Sequence, residues 1–196
     1  MRKTLAVGLA VWGLAAMACS RPSGAVEVPP ERLPFPLART PVTPPPVPGE
    51  RLVTVYLVRD GRLSPATRLV SGELGSAEAA MRALLLGPSQ TEREAGIGTA
   101  IPPATQLIAV EVTDQVALVD LSAEFQGPAE PPEVLLRVGQ VVWTLVADPG
   151  IASVRFSIDG VPTSVPIADG TAPDRPVTAS DYGSVAPLEE PVVTNP

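Results

Sequence analysis

The stretch LIAVEVTDQVALVDL, residues 107–121, contains the clearest hairpin pattern in the chain. Two apolar runs with a period of two, residues 107–112 and 116–121, flank a turn at Asp114-Gln115. The alternation gives each run one apolar face, formed by Ile108, Val110 and Val112 in the first and by Ala117, Val119 and Leu121 in the second. The sequence therefore predicts an antiparallel hairpin with a face that is buried.

Strand patterns on both sides of this hairpin extend the predicted β-structure. Residues 52–58 form a β-branched and aromatic run, Asp60-Gly61 is a tight-turn signal, and residues 63–70 return as a partner strand interrupted by Pro65. Further along, residues 154–158 alternate in the same way, and residues 161–167 follow after Gly160. This order favours strands joined mostly by hairpins.

Two amphipathic helices are predicted between the strands. The first has Ser76 as its expected N-cap and ends at Gly87-Pro88, and its apolar face holds Ala77, Ala80, Met81, Leu84 and Leu85. A polar stretch through Glu94 and Gly98, predicted to be a loop, follows it. The second helix begins at Pro131-Pro132 and stops at Asp148-Pro149-Gly150, with apolar residues at Val134, Val138, Val141 and Leu145. The sequence thus predicts an α+β fold, a single small domain in which two helices pack on one face of a mixed or antiparallel sheet.

Proline is distributed unevenly along the 196 residues. Ten of the 25 prolines lie between residues 22 and 48. Because proline fixes φ and lacks an amide donor, this part is predicted to be an extended, flexible spacer. We therefore divide the chain into a leader (1–18), a Pro-rich spacer (19–50), a folded domain (51–168) and a disordered Pro-rich and acidic tail (169–196).

The first 19 residues combine a positive start, an apolar run and the single cysteine of the chain. Arg2 and Lys3 precede an apolar run over residues 5–17, which is too short to span about 30 Å of hydrocarbon comfortably but suits a secretory signal. Cys19 follows small residues and resembles the lipobox of bacterial lipoproteins, in which the cysteine is diacylated. We predict a signal peptide over residues 1–18, lipidation of Cys19 and a location on the extracytoplasmic face of the cell membrane. The alternative is an ordinary signal peptide cut after Ala18.

Composition excludes several kinds of chemistry. Histidine is absent and only one cysteine is present, which excludes Ser-His and Cys-His nucleophile pairs, an internal disulfide and Cys-x-x-Cys metal sites. The net charge of −7 argues against nucleic acid as a partner, since phosphate binding needs clustered basic charge. We expect a protein that is not an enzyme and has no catalytic residue, cofactor or metal.

Several short motifs follow one another in a definite order: Val53-Thr54-Val55-Tyr56, Leu84-Leu85-Leu86-Gly87-Pro88, Thr99-Ala100-Ile101-Pro102, Val119-Asp120-Leu121-Ser122, Gln140-Val141-Val142-Trp143 and Val154-Arg155-Phe156-Ser157. In this order and spacing they resemble the GerMN domain of sporulation and spore-germination lipoproteins, over about residues 51–165. The resemblance implies a domain with no established enzymatic activity that acts in assemblies of the cell envelope.

Three charged residues are candidates for contacts with a partner: Arg68, Asp120 and Asp159. Asp120 alternates with apolar neighbours, so it is expected on the other face of its strand, where a solvated carboxylate is the simpler interpretation. Asp159 precedes Gly160 and is more typical of a turn. Arg68 is expected either to pair with one of these acids or to bind an anion.

Two further alternatives concern side chains whose neighbours the sequence does not reveal. Gln140 and Trp143 lie among core positions of the second helix, and Trp143 is interpreted as a core residue or, otherwise, as an anchor for a partner. Asp120 and Asp159 could act as a pair in glycan hydrolysis only if their carboxyl groups lay about 5 to 10 Å apart.

The function that these observations favour is non-catalytic docking. A lipid-anchored envelope protein would present its domain outside the cytoplasmic membrane and bind an envelope protein or a glycan such as peptidoglycan, in a sporulation, germination or envelope-signalling role. Self-association is a further possibility. The alternatives are a small solute-binding lipoprotein and, ranked lower, a cell-wall glycan hydrolase with paired carboxylates. A deep pocket would favour the solute-binding lipoprotein, and paired acids in a groove would favour the glycan hydrolase. An exposed strand edge would favour docking of a protein.

Overall fold

The computed structural model describes residues 49–188. The predicted signal peptide, Cys19 and nearly all of the spacer lie outside the described residues, and so do residues 189–196. The predictions for those segments therefore stay predictions. Among the described residues, the buried core cluster runs from Val55 to Val185.

The first half of the fold runs β1 (Glu50–Arg59), β2 (Arg62–Ser71), α1 (Ser76–Leu85), α2 (Gln90–Glu94), β3 (Leu107–Thr113) and β4 (Val116–Leu121). The second half runs from a 3-10 helix (Ala123–Gln126) through α3 (Pro131–Val146), β5 (Ser153–Ile158) and β6 (Val161–Thr163) to another 3-10 helix (Ala179–Val185).

Two-residue turns join the antiparallel pairs β1–β2, β3–β4 and β5–β6. Both turn residues have positive φ in each case, with 50° and 71° at Asp60-Gly61, 51° and 64° at Asp114-Gln115, and 48° and 77° at Asp159-Gly160. Positive φ at both positions is what a type I′ turn requires, and its twist matches that of the flanking strands. The structure confirms the turns predicted at these positions.

Within residues 49–188 the strands form two sheets. β1 and β2 pair as an antiparallel hairpin, and the larger sheet has the order β3-β4-β5-β6, in which β4 and β5 are parallel. The α+β class is confirmed, and the larger sheet is mixed as predicted. The strands differ from the prediction in dividing between two sheets. Along the outer edge of β1, Tyr56 bonds side chains of α3 and Val58 pairs with the backbone of Gly98.

A β-bulge at the start of β3 changes which side chains face the core. Leu107 pairs with Leu121 and Ala109 with Asp120, so Ile108 is the extra residue. Leu107 packs against the core, whereas Ile108 is 52% exposed. The prediction of a buried face was therefore wrong for Ile108, and Val112 is also exposed, at 45%.

The predicted apolar faces of the two long helices form most of the helical part of the core. In α1 the buried residues include Ala77, Ala80, Met81 and Leu84, and in α3 they include Val138, Val141, Val142 and Leu145. α1 and α3 pack against each other and against β1. The N-cap of α1 is Gly75 rather than the predicted Ser76, which becomes the first helical residue.

The polar stretch after α1 was predicted to be a loop but contains the short helix α2. Its N-cap, Ser89, and Glu92 form a capping box, in which Ser89 Oγ accepts a hydrogen bond from the Glu92 amide (3.3 Å) and Glu92 Oε2 accepts one from the Ser89 amide (2.7 Å). The Ser-x-x-Glu spacing that permits this box is visible in the sequence.

The predicted disorder of the tail was wrong over residues 169–188. Val177 pairs with Val154 of β5 through two backbone hydrogen bonds of 2.8 Å, and the second 3-10 helix follows directly. Val177, Tyr182 and Val185 are buried, with Tyr182 0% exposed. A few well-placed apolar side chains thus hold a segment whose composition is otherwise typical of disorder.

Gly139 in the middle of α3 allows the tail to approach the helix closely. A Cβ at this position would lie 3.3 Å from Val185, 3.5 Å from Leu63 and 3.6 Å from Tyr182. Glycine in a helix interior costs about 1 kcal/mol relative to alanine. Here the missing side chain leaves room for the 3-10 helix and for β2 to pack on the same face of α3.

Polar contacts fix the tail in this position. Asp181 forms a bidentate ion pair with Arg175 (2.7 and 2.9 Å) and accepts a hydrogen bond from the Thr178 amide. The hydrogen bonds from Arg175 hold the pKa of the Asp181 carboxyl well below its usual range. The Tyr182 hydroxyl donates to the Pro166 carbonyl (3.0 Å), and burial raises the pKa of this phenol.

We predict that Tyr182→Ala lowers the free energy of unfolding by about 3–5 kcal/mol, because it removes a fully buried aromatic ring. Tyr182→Phe keeps the ring and loses only one hydrogen bond, so we expect a loss of about 1 kcal/mol. Urea denaturation followed by tryptophan fluorescence measures both values. A Tyr182→Ala variant as stable as the unmodified protein would contradict the packing of the tail.

Candidate functional site

Helix α3 carries a row of buried polar side chains on one face. Arg137, Gln140 and Thr144 are 3%, 0% and 1% exposed. Their spacing of three and then four residues places them above one another along the helix. This polar row faces β1 and the loop that contains Ala100.

Gln140 and Thr144 take the place of a neighbouring strand beside β1. The Tyr56 amide donates to Thr144 Oγ1 (2.9 Å), and Gln140 Nε2 donates to the Tyr56 carbonyl (2.8 Å). Gln140 Oε1 also accepts hydrogen bonds from the Ala100 amide (2.8 Å) and the Thr99 hydroxyl (3.2 Å). The buried amide of Gln140 therefore joins β1 to the loop.

Arg137 extends the same row towards the segment after β4. Its Nε donates to the Ala100 carbonyl (3.0 Å), and one terminal nitrogen donates to the carbonyls of Phe125 (2.7 Å) and Gly127 (2.8 Å). Among the described residues, backbone carbonyls rather than a carboxylate hold this buried guanidinium. The sequence interpretation missed Arg137. Polar residues at this spacing within an otherwise apolar helix were the available signal.

Arg68 pairs with an acid, but not with either of the predicted ones. Its guanidinium makes two hydrogen bonds to Glu92 of α2, at 2.9 and 2.7 Å. Partial burial alone would raise the pKa of Glu92, but the hydrogen bonds from Arg68 and Ser89 lower it below its ordinary value. Pairing of Arg68 with Asp120 or Asp159 was therefore wrong, and the ion pair instead ties β2 to α2.

Asp120 and the turn at Asp159 meet at one end of the larger sheet. Asp120 Oδ1 accepts a hydrogen bond from the Gly160 amide (3.0 Å), and the Asp159 amide donates to the Leu121 carbonyl (3.0 Å). Asp159 is exposed and has a φ of 48°, as the turn interpretation requires. Asp120 thus stabilises the β5–β6 turn from the neighbouring strand. A contact of Arg68, Asp120 or Asp159 with a partner stays a prediction.

Trp143 lies at the margin of the core. Its ring lies 5.4 Å from that of Tyr56 at an interplanar angle of 55°, and it packs against the core as a half-buried residue. Its buried indole N–H has no hydrogen-bond partner among the described residues. The structure thus agrees with the interpretation of Trp143 as a core residue.

The structure also gives two findings on metals and membranes, both limited to residues 49–188. No group of three His, Cys, Asp or Glu side chains in this range could hold a metal ion. No helix in the same range is long and apolar enough to cross a membrane.

No described strand pairs with the outer edge of β3, although α1 packs against this strand. Thr113 and Val116 flank the two-residue turn, so Val110 and Val112 occupy the positions whose backbone groups point away from β4. No backbone hydrogen bond from another described element reaches those groups. Ile108 and Val112 are 52% and 45% exposed, so the edge also presents apolar side chains.

An apolar groove lies at the start of α3. Its walls come from Pro131 and Leu135 of α3, the loop residues Pro166 and Ile167, and Val185 of the second 3-10 helix. The groove encloses about 680 Å³, and neither Asp120 nor Asp159 lines it. The two acids therefore do not form a catalytic pair inside this groove.

Together these features define a class: a small α+β domain in which buried polar side chains hold the backbone while apolar surfaces stay open. Residues 51–164 match the Germane family, which is described as sporulation and spore germination. Because the match spans more than half of the chain, the chain belongs to this family, as the resemblance implied. A comparison with curated proteins gave no match.

Solved structures with a similar fold include GerMN domains of the sporulation protein GerM from Bacillus subtilis. The tandem GerMN domains are 22% identical with a TM-score of 0.54, and the alignment covers 67% of this chain and 47% of that one. The first GerMN domain alone is 21% identical with a TM-score of 0.49, and the alignment covers 66% and 98% of the two chains. This chain thus spans about half the length of the tandem structure, and the likeness to that structure shows the fold alone.

We predict that Gln140→Met destabilises the domain although it preserves side-chain volume. The substitution leaves the Tyr56 carbonyl and the Ala100 amide without their present partner, at about 1–3 kcal/mol for each buried group. Gln90→Met makes the same chemical change at an exposed position of α2 and should alter stability by less than about 0.5 kcal/mol. Equal urea midpoints for the two variants would show that the Gln140 hydrogen bonds do not stabilise the fold.

Proposed function

We propose that this chain is a non-catalytic, lipid-anchored docking protein of the cell envelope. Cys19 carries the lipid, the proline-rich spacer sets the reach of the domain, and the Germane domain binds a protein partner outside the cytoplasmic membrane. The role is of the sporulation, germination or envelope-signalling type. Peptidoglycan is the alternative partner.

The open edge of β3 is the observation that carries this proposal. Unpaired N–H and C=O groups on an edge strand can pair with an extended segment of another protein, and exposed apolar side chains add contact area. The edge of β2 differs, since Pro65 sits opposite Tyr56 and has no N–H to offer. Of these two edges, β3 is thus the better suited to accept a strand.

The hydrogen bonds of the buried polar side chains support a function without catalysis. Arg137, Gln140 and Thr144 bond backbone groups of the core, and Asp120 bonds a turn amide. A general acid or base needs a group that can reach a substrate. The donors and acceptors of these side chains are instead bonded to backbone groups of the domain.

A small solute-binding lipoprotein is the second candidate, and the apolar groove is the observation that favours it. Its volume of about 680 Å³ is in the range of ligand sites. Solute sites also contain a few convergent polar groups that fix the orientation of the ligand. Ser184 is the hydroxyl residue of this lining, and no charged side chain in the described structure contributes to it, so this candidate ranks below docking.

The anchor is tested by metabolic labelling with an alkyne fatty acid in intact cells. We predict that the full chain is labelled and fractionates with membranes, and that Cys19→Ala is not labelled, because it lacks the thiol that carries the lipid. Ser20→Ala changes the neighbouring residue and should keep both label and membrane fraction. Label retained in Cys19→Ala, or no label on the unmodified chain, would contradict lipid attachment at Cys19.

The docking surface is tested by placing a photo-crosslinking amino acid at position 112 of the membrane-bound protein. Leu52 is a matched control on the other sheet, since Leu52 and Val112 are 43% and 45% exposed. We expect a defined protein adduct, identified by mass spectrometry, from position 112 and not from position 52. Equal adducts from the two positions, or none from position 112, would contradict docking through β3.

A further inference from the structure

The apolar groove at the start of α3 has walls without charge. Pro131, Leu135, Pro166, Ile167 and Val185 form most of its surface, and no charged side chain of the described residues lines it. At about 680 Å³ and open to solvent, it has room for several aliphatic side chains rather than one. The groove therefore suits an apolar surface of a second molecule.

The backbone of the walls offers few donors to such a molecule. Pro131 and Pro132 have no N–H, and the amides of Glu133 and Val134 already donate to the Glu130 carbonyl (2.9 and 3.1 Å). This beginning of α3 thus lacks the free amides that bind anions at other helix N-termini.

The backbone amides of the opposite wall also have hydrogen-bond partners within the domain. The amides of Ile167, Ala168 and Gly170 donate to the carbonyls of Thr171, Asp181 and Ile167, at 2.9 to 3.0 Å. An extended peptide, whose own backbone needs partners, would find few donors along these two walls. A helix satisfies its backbone internally and needs only apolar contact.

The charged residues around the groove determine which charge a bound molecule should carry. Glu130, Glu133 and Asp169 are exposed and directly adjoin wall residues in the chain. On the same side, Arg62 uses its guanidinium to bond the Ala186 carbonyl (3.3 Å). Arg175 also acts on Asp169 but is itself paired with Asp181. The acids outnumber the two cations, so the rim attracts positive charge and repels anionic lipid headgroups.

We propose that the apolar groove binds an amphipathic, basic α-helix of a partner protein. The apolar face of that helix lies on Leu135, Ile167 and Val185, and its Lys or Arg residues lie beside Glu130, Glu133 and Asp169. This contact uses other residues than the β3 edge and does not depend on it. The domain thus has a second binding surface with its own specificity.

The test uses fluorescence anisotropy with residues 20–196, which contain the whole described core, and a labelled helical peptide built from Leu and Lys. A matched peptide with Glu in place of every Lys keeps the apolar face and reverses the charge. We expect the Lys peptide to bind at least about tenfold more tightly, as several weak exposed charge pairs would produce together. Equal binding of the two peptides, or no binding of the Lys peptide, would overturn the proposal.

Variants of the protein locate the binding. Ser184→Trp fills the groove from an exposed position and should abolish binding, with Ala129→Trp as a second filling variant. Glu133→Lys should weaken binding, whereas Glu94→Lys makes the same charge change on α2 and should have little effect. Circular dichroism confirms that each variant is folded. Binding that both filling variants leave intact places the peptide elsewhere and overturns the proposal.

Binding of a lipid or of a second copy of the chain in the groove would give different results, and either result would overturn the proposal of a basic helix. A fluorescent fatty acid that binds and is displaced by Ser184→Trp, with no binding of the Lys peptide, would make the groove a lipid site. A concentration-dependent dimer in analytical ultracentrifugation that Ser184→Trp dissociates would make a second copy of the chain the occupant.

Discussion

The outer edge of β1 is held by a single backbone bridge, from Val58 to Gly98, and by hydrogen bonds from side chains of α3. Gln140 and Thr144 bond both backbone groups of Tyr56, and Gln140 also holds the Ala100 amide. Arg137 ties the same loop to the segment after β4. Because each buried backbone group without a partner costs about 1–3 kcal/mol, this row of side chains joins the hairpin, the loop and the larger sheet in one core.

The buried polar residues of the domain connect parts of the fold. Buried Gln and Arg side chains can indicate chemistry, but here their donors and acceptors are bonded to the backbone. The ion pair of Arg68 with Glu92 and the hydrogen bond from Gly160 to Asp120 also connect elements of the fold. Two surface features that the fold does not use, the β3 edge and the groove beside α3, present apolar side chains. Both features suit recognition of another protein.

The tail shows how few contacts are needed to order a segment of low hydrophobicity. Val177 extends the edge of the larger sheet, and Tyr182 and Val185 pack where Gly139 leaves α3 without a side chain. The groove exists because of this packing, since Val185 forms one of its walls. A segment that composition describes as disordered is thus part of both the core and the candidate binding surface.

The sequence by itself determined the features that depend on neighbouring residues. Period-two and helical patterns gave the strands and the two long helices, and Asp-Gly pairs gave turns, because side-chain direction and backbone φ are local properties. The motif order along the chain gave the family. Only the tertiary structure decided the partner of Arg68, the role of Gln140, the bulge at Ile108 and the folding of the tail. Each of these depends on which distant segments meet, and local patterns carry no information on such contacts.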